Sequence, residues 1–393
     1  MNGRPRSLVL AGVAIASLAF PVAAQARVKI MSEGLPTPKD QHRFLDTIGA
    51  NGAPLKADAI DFFPHTVTIH VGDSVKFRPT AFHQIDIPAL KHGKQQKPLQ
   101  LLEIGAIVQG DNDAAGQPFW FNGQRPNVFF NKTLIPPNPH VDYSPTKVPG
   151  AKTVKRTYTG KREITSDIPF NAGPPSVQVK FTRAGTYTVY CALHNGEKGV
   201  IRVLPKRRHI PSAKADRRSV KKQIARDFKI AKGLQEAPVP PNTVFVGSAG
   251  SHGVEYFGYL PAKLTVPVHT TVTFSMTPKS FEDHTATFAG AENADPEAGD
   301  NSQLGRIAAS FFAPTLSAEG VWPSDDPAKG PASVTLASHG NGFWNSGVLA
   351  PPSRSPAPGV IPSSRQVTFD QAGTYQVYCM VHPQMHGTVV VTG

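Results

Sequence analysis

The chain is poor in cysteine: 393 residues carry two, Cys191 and Cys379. Two cysteines allow at most one disulfide. They stand 188 residues apart, at the same place in an internal repeat. Equivalent positions in two separate domains rarely come within the roughly 7 Å between Cα atoms that a bridge requires. Both thiols are therefore expected to be free. Long hydrophobic runs are also missing. Beyond the N-terminus no segment approaches 18 apolar residues in a row, so no transmembrane segment is expected in the mature chain. None of the 14 histidines has another two residues away, and the nearest pair is His382 and His386. No Ser-His-Asp or paired-carboxylate pattern stands out, so an enzyme is not expected.

The first 26 residues read as a secretory signal. Arg4 and Arg6 are followed by the uncharged run Ser7 to Phe20 and the small-x-small Ala24-Gln25-Ala26. Export to the periplasm or the cell exterior is the expectation, with Arg27 as the first mature residue. No cysteine lies near that point, which excludes a lipoprotein anchor. The 38 prolines and 34 glycines break helices and favour short strands with long loops.

The net charge is +13, and most of it is local. Residues 205–232 hold eleven Lys and Arg against Asp216 and Asp227. That concentration describes a linker, not a nucleic-acid-binding domain. Within it, Val220, Ile224 and Phe228 recur every four residues, which predicts a helix over 212–232. The helix either packs one apolar stripe on a domain or offers its cationic face to an anionic partner.

Two segments match without gaps, AGTYTVYCALHNGEKGVIRV at 184–203 and AGTYQVYCMVHPQMHGTVVV at 372–391. Upstream, Val179 and Phe181 correspond to Val367 and Phe369. An earlier pair, PHTVTIHVGDSVKF from Pro64 and PAKLTVPVHTTVTF from Pro261, alternates apolar and polar residues. Period 2 means one buried and one wet face, as in a sandwich strand. A repeat this long is a duplicated domain and not a solenoid turn. The expected plan is a signal at 1–26, domain 1 at 40–205, a basic linker at 206–240 and domain 2 at 241–393. Each domain carries a long insertion, roughly 88–176 and 289–364, with Trp120, Phe129, Phe343 and Trp344 among its aromatics. These insertions either shape a partner site or form extra surface structure.

The second domain concentrates metal-binding chemistry. Tyr375, Val377 and Cys379 share the inward face of a strand, with Tyr378 outward. The loop that follows brings His382 and Met385. Soft sulfur with imidazole favours copper over hard cations, and a trigonal His₂Cys set with a weak axial Met is the arrangement of blue-copper centres. The second His must come from elsewhere, and His284 follows the alternating hairpin by ten residues.

Cys-x-x-His-x-x-Met with an upstream His resembles the cupredoxins, the plastocyanin and azurin family, and the loop spacing most resembles amicyanin. The resemblance implies two tandem Greek-key β-sandwiches, an all-β fold, and copper held by His284, Cys379, His382 and Met385. In domain 1 it implies His83, Cys191 and His194, but Glu197 stands where Met385 does. Three readings stay open there: Glu197 coordinates, no axial ligand binds, or the site is empty. Family members with a second catalytic copper place a His before the cysteine. Here Tyr190 and Tyr378 precede Cys191 and Cys379. The expected function is an exported blue copper electron carrier meeting redox partner proteins weakly and transiently. A copper-handling protein is the main alternative, and a copper oxidase or reductase a lesser one.

Overall fold

A computed structural model describes residues 26–49, 52–80, 83–100, 102–104, 128–130, 141–143, 153–166, 176–194, 196–288, 332–334, 344–355, 358–359, 361–382 and 384–393. The segment read as a signal, most of both insertions, and Trp120 and Phe343 lie outside these residues.

The described strands build two β-sandwiches, as the all-β expectation requires. In the first half, one sheet sets Ser74–Pro79 between Val177–Phe181, antiparallel, and Val28–Glu33, parallel. The facing sheet runs from Gly185–Tyr190 to Lys198–Leu204 and on to Thr66–His70. Apolar side chains from both sheets close one core: Val67, Ile69, Val75, Phe77, Val179, Phe181, Val189 and Ile201 are all fully buried. The alternation seen from Pro64 onward thus marks one inward face.

The second half repeats the pairing order. Thr270–Ser275 lies between Ser364–Phe369, antiparallel, and Thr243–Ala249, parallel. Across from it, Gly373–Tyr378 pairs with His386–Thr392, which pairs with Lys263–Pro267. Phe274, Phe288, Trp344, Val367 and Phe369 fill this core. Trp344 is therefore a core residue, not part of a surface loop. Leu264 and Val268 are only half-buried, because Lys263–Pro267 is an edge strand.

The first sandwich starts earlier than the repeat suggests. Val28–Glu33 lies upstream of residue 40 and is integral to the first sheet. It was hidden because the two halves resemble each other only in their later strands. The halves are also not separate beads. Ala57–Ala59, from the first half, adds antiparallel to Val254–Leu260 in the second half's sheet.

The basic segment forms one helix, Ala213–Leu234, with Ser212 as its N-cap accepting from the Ala215 amide. Its apolar stripe (Val220, Ile224, Phe228) joins a cluster with Phe44, Leu55, Phe63, Val254 and Tyr256. The stripe therefore packs between the halves. Among the described residues, no helix is long and apolar enough to cross a membrane.

On this helix the buried Asp227 accepts from Arg226 Nε at 2.7 Å, while its other carboxylate oxygen has no partner. Burial raises its pKa to about 6, against the pull of Arg226. A carboxyl with a raised folded pKa favours the folded state while protonated and loses that contribution as pH rises from about 4 to 6. Asp227→Asn should therefore shift the melting temperature, relative to the parent, more favourably at pH 7 than at pH 4. Calorimetry of both chains across that range measures it.

Candidate metal centres

Cysteine in each half ends an inward-facing strand run. Tyr187, Val189 and Cys191 point into one sandwich, and Tyr375, Val377 and Cys379 into the other. Tyr190 and Tyr378 lie half-buried on the opposite faces. Both cysteines are free and buried, as expected.

The loops after the two cysteines fold alike. The Cys379 amide donates to Met385 O at 3.2 Å, and the Met385 amide to His382 O at 2.8 Å. The Cys191 amide donates to Glu197 O at 3.2 Å, and the Glu197 amide to His194 O at 3.0 Å. Glu197 thus occupies the backbone place of Met385, as gapless alignment of the repeats requires. The upstream histidines match too. The amide of Gln84, after His83, donates to Cys191 Sγ at 3.4 Å. The amide of Thr285, after His284, donates to Cys379 Sγ at 3.4 Å.

In the second half three donors converge. His382 Nδ1 lies 3.1 Å from His284 Nδ1, and Cys379 Sγ lies 3.7 Å from that same His284 atom. Met385 is fully buried in the apolar cluster that contains Cys379. Burial alone would raise the Cys379 thiol. Hydrogen bonding and charge from His284 and His382 outweigh it and bring the pKa down to about 5. His382 is correspondingly raised to about 10, burial being overcome by Cys379 and Glu282. A thiolate is therefore available at neutral pH, and the thiolate is the metal-binding form.

The first half brings together four groups. His83 Nδ1 and His194 Nδ1 lie 3.2 Å apart, and Glu197 Oε2 lies 3.1 Å from the former and 3.2 Å from the latter. Cys191 Sγ is 3.5 Å from His194 Nδ1. Four of the sequence-predicted ligand residues thus gather in the first half and three, His284, Cys379 and His382, in the second, with Met385 buried in the same core as Cys379. The electrostatics differ from the second half. Burial, then the charges of Glu197 and Glu33, push the Cys191 thiol well up. His83 is raised to about 9, its burial overcome by Glu197. Glu197 falls to about 2, because His83 and His194 more than offset burial.

Both clusters fit a metal ion by their donor chemistry. Their nitrogen, sulfur and carboxylate atoms lie within 4.8 Å of one another. The Glu197 Oε1 atom is buried without a hydrogen-bond partner. The second set is soft, suited to copper in either oxidation state. The first adds carboxylate, which favours the divalent state.

Sequence reading missed four contributors. Glu33, at the end of the first strand, is buried with neither carboxylate oxygen partnered, and burial with the nearby Glu197 charge raises it well above the usual range. Glu282 sits two residues before His284 and contacts His194 and His382 at 3.2 and 3.5 Å. Two glycines make room for the upstream histidines. A methyl group on Gly34 would stand 2.7 Å from His83 Nε2, and one on Gly247 would stand 2.5 Å from His284 Nε2. Four other described histidines stand apart from both clusters. His65 pairs with Asp61, His70 with Asp73, His269 with Asp370, and His92 is exposed. His140 and His339 lie outside the described residues.

No protein-family model and no curated protein matches this chain. Among solved structures, it is similar to a purple cupredoxin from Nitrosopumilus maritimus, at 16% identity over 38% of this chain and 98% of that one, with a TM-score of 0.19. It is similar to auracyanin A, a "blue" copper protein of Chloroflexus aurantiacus, at 20% identity over 38% of this chain and 96% of that one, with a TM-score of 0.22. A Cu(I) form of a mutant amicyanin matches at 16% identity over 40% of this chain and 87% of that one, with a TM-score of 0.19. Likenesses this distant are left as likenesses, and the site geometry carries the functional reading.

Gly247 has φ +76° as well as the close approach to His284. An alanine there is strained by backbone and neighbour together, at roughly 1–3 kcal/mol. Gly247→Ala should displace the His284 ring. Copper titration should then show weakened binding in the second half and little change in the first.

Proposed function

We propose that this chain is an exported copper protein of two tandem cupredoxin-type domains, carrying electrons through the centre formed by His284, Cys379, His382 and Met385. The observation that carries this reading is the convergence of two imidazoles on a buried cysteine whose thiol is already lowered to about 5 without a metal. Bound copper supplies one-electron redox chemistry there. The protein's part is to hold the donors in place. The Thr285 and His382 amides both donate to Cys379 Sγ at 3.4 Å, stabilising negative charge on sulfur. Burial excludes water. Met385, buried in the same core as Cys379, would supply the thioether ligand.

The first centre is read as a harder copper site in which Glu197 coordinates. Its buried, unpartnered Oε1 and its place in the loop support this. A carboxylate in place of a thioether lowers the potential. Glu197→Met should raise the potential of the first centre and strengthen its thiolate-to-copper band. An unchanged spectrum would remove Glu197 from the ligand set.

A copper-handling role is the second reading. It is favoured by the carboxylate-rich first centre, which suits retention of a divalent ion better than rapid electron exchange. The signal-like N-terminus supports export, and the cationic helix supports an anionic partner or surface.

The test is an absorption and EPR spectrum of the copper-loaded chain, followed by redox titration. An intense visible thiolate-to-copper band should appear, and the second-half contribution should vanish in Cys379→Ser. Reversible reduction at a defined potential supports electron carriage. Copper bound tightly but not reduced by any donor would favour handling. Loss of the main band in Cys191→Ser instead would assign the working centre to the first half.

A further inference from the structure

The outer nitrogens of two candidate ligands, one from each half, meet on the same carboxylate. His194 Nε2 lies 3.2 Å from Glu282 Oε1, and His382 Nε2 lies 3.5 Å from Glu282 Oε2. The inner nitrogen of each ring faces its own cluster: His194 Nδ1 faces Cys191, His83 and Glu197, and His382 Nδ1 faces His284. The path His194–Glu282–His382 is therefore continuous from one cluster to the other. It crosses between halves whose cysteines are 188 residues apart in sequence.

The neighbours of Glu282 make the same crossing. The Phe281 ring packs against Gly196, in the first-half ligand loop. Asp283 pairs with the buried Arg354 at 2.7 and 2.8 Å, and Arg354 donates to Leu193 O at 3.1 Å. Three consecutive residues just before His284 thus dock on the loop that carries His194. The Glu282 carboxylate is itself buried, and its amide donates to Ser280 Oγ at 3.0 Å. Burial alone would raise its carboxyl; the neighbouring His194, His382 and Arg354 outweigh that and hold it below the usual carboxylate range.

We propose that Glu282 couples the two metal centres. Its carboxylate holds the outer nitrogens of His194 and His382, so that a metal at one centre alters the orientation and donor strength of the histidine at the other. A carboxylate on the far nitrogen of a ligating imidazole fixes its tautomer and raises its basicity. One carboxylate serving two such rings makes the effect mutual, and coupling between binding sites is reciprocal. The two centres then form a pair and not two independent sites. Glu282 is a positioning residue; it ligates neither metal.

The inference rests on both clusters binding copper, and the test separates the two questions. In full-length Cys379→Ser chain the first centre is read alone by its thiolate-to-copper band. In Cys191→Ser chain the second is read alone. Glu282→Ala is placed in each background and copper affinity is measured by competition with a chelator. The affinity should fall on the order of tenfold or more in both backgrounds. With both cysteines present, filling the first centre with Zn(II) should shift the reduction potential of the second, and Glu282→Ala should diminish that shift. If the alanine chain does not fold, Glu282→Gln keeps the shape while removing the charge, and should weaken both centres. A fall confined to the second centre would overturn the coupling while leaving the copper assignment intact. A first centre that takes no copper would overturn the coupling and the two-site reading together. No thiolate-to-copper band in either background would overturn the copper assignment itself.

Discussion

Buried charge is the constraint around which the rest of this molecule is arranged. Two clusters of ionisable side chains sit where the two sandwiches touch, almost fully removed from water. Burying an unpaired ion costs several kcal/mol, so each such group needs a compensating neighbour. In the second half the compensation is internal: two imidazoles offset one sulfur, and the thiol drops to about 5. In the first half two carboxylates share the space with two imidazoles, and the thiol is driven up. The Glu282 carboxylate faces the outer nitrogens of both His194 and His382. Separating the halves would expose that balance to solvent, which makes the domain interface part of the metal chemistry.

The same constraint explains why near-identical loops give unlike centres. Backbone hydrogen bonds from cysteine to the residue six positions on are 3.2 Å in both. The amide following the upstream histidine meets sulfur at 3.4 Å in both. Among the donor positions, what differs is Glu197 in place of Met385, and the first half adds the nearby Glu33. A thioether adds no charge to the site, whereas a carboxylate adds one and must be answered by raising His83 to about 9. Donor hardness, and with it the preferred oxidation state, follows from one residue set on a shared frame.

Much of this frame is legible in the sequence. The repeated Tyr-x-Val-Tyr-Cys run discloses the inward strand, and the His three places later discloses the loop. The alternation at Val67 and Ile69 discloses a sandwich face. Glu197 is found by simple alignment with Met385. The parts that escape are those defined by distance in space. Glu33 lies on a strand with no counterpart in the matched segments, and only its burial without a partner sets it apart. Glu282 is only two residues from His284, yet its link to His194 spans the two halves. Ala57–Ala59 belongs by sequence to one half and pairs by hydrogen bonds with the other. Gly34 and Gly247 look like any loop glycines until the imidazoles beside them are seen.

The interface also covers the outer edge of the His382 ring. Here its outer nitrogen faces Glu282 and, beyond it, His194. Phe257 packs on the same ring, with centroids 5.0 Å apart. The edge that a partner would approach is thus occupied from within the chain. Tyr378, half-buried on the outer side of the strand that ends in Cys379, presents another face, one residue before that cysteine. If the centres act as a pair, one of them can face a partner while the other faces inward. The covered His382 edge is then a consequence of pairing and not an obstacle to function.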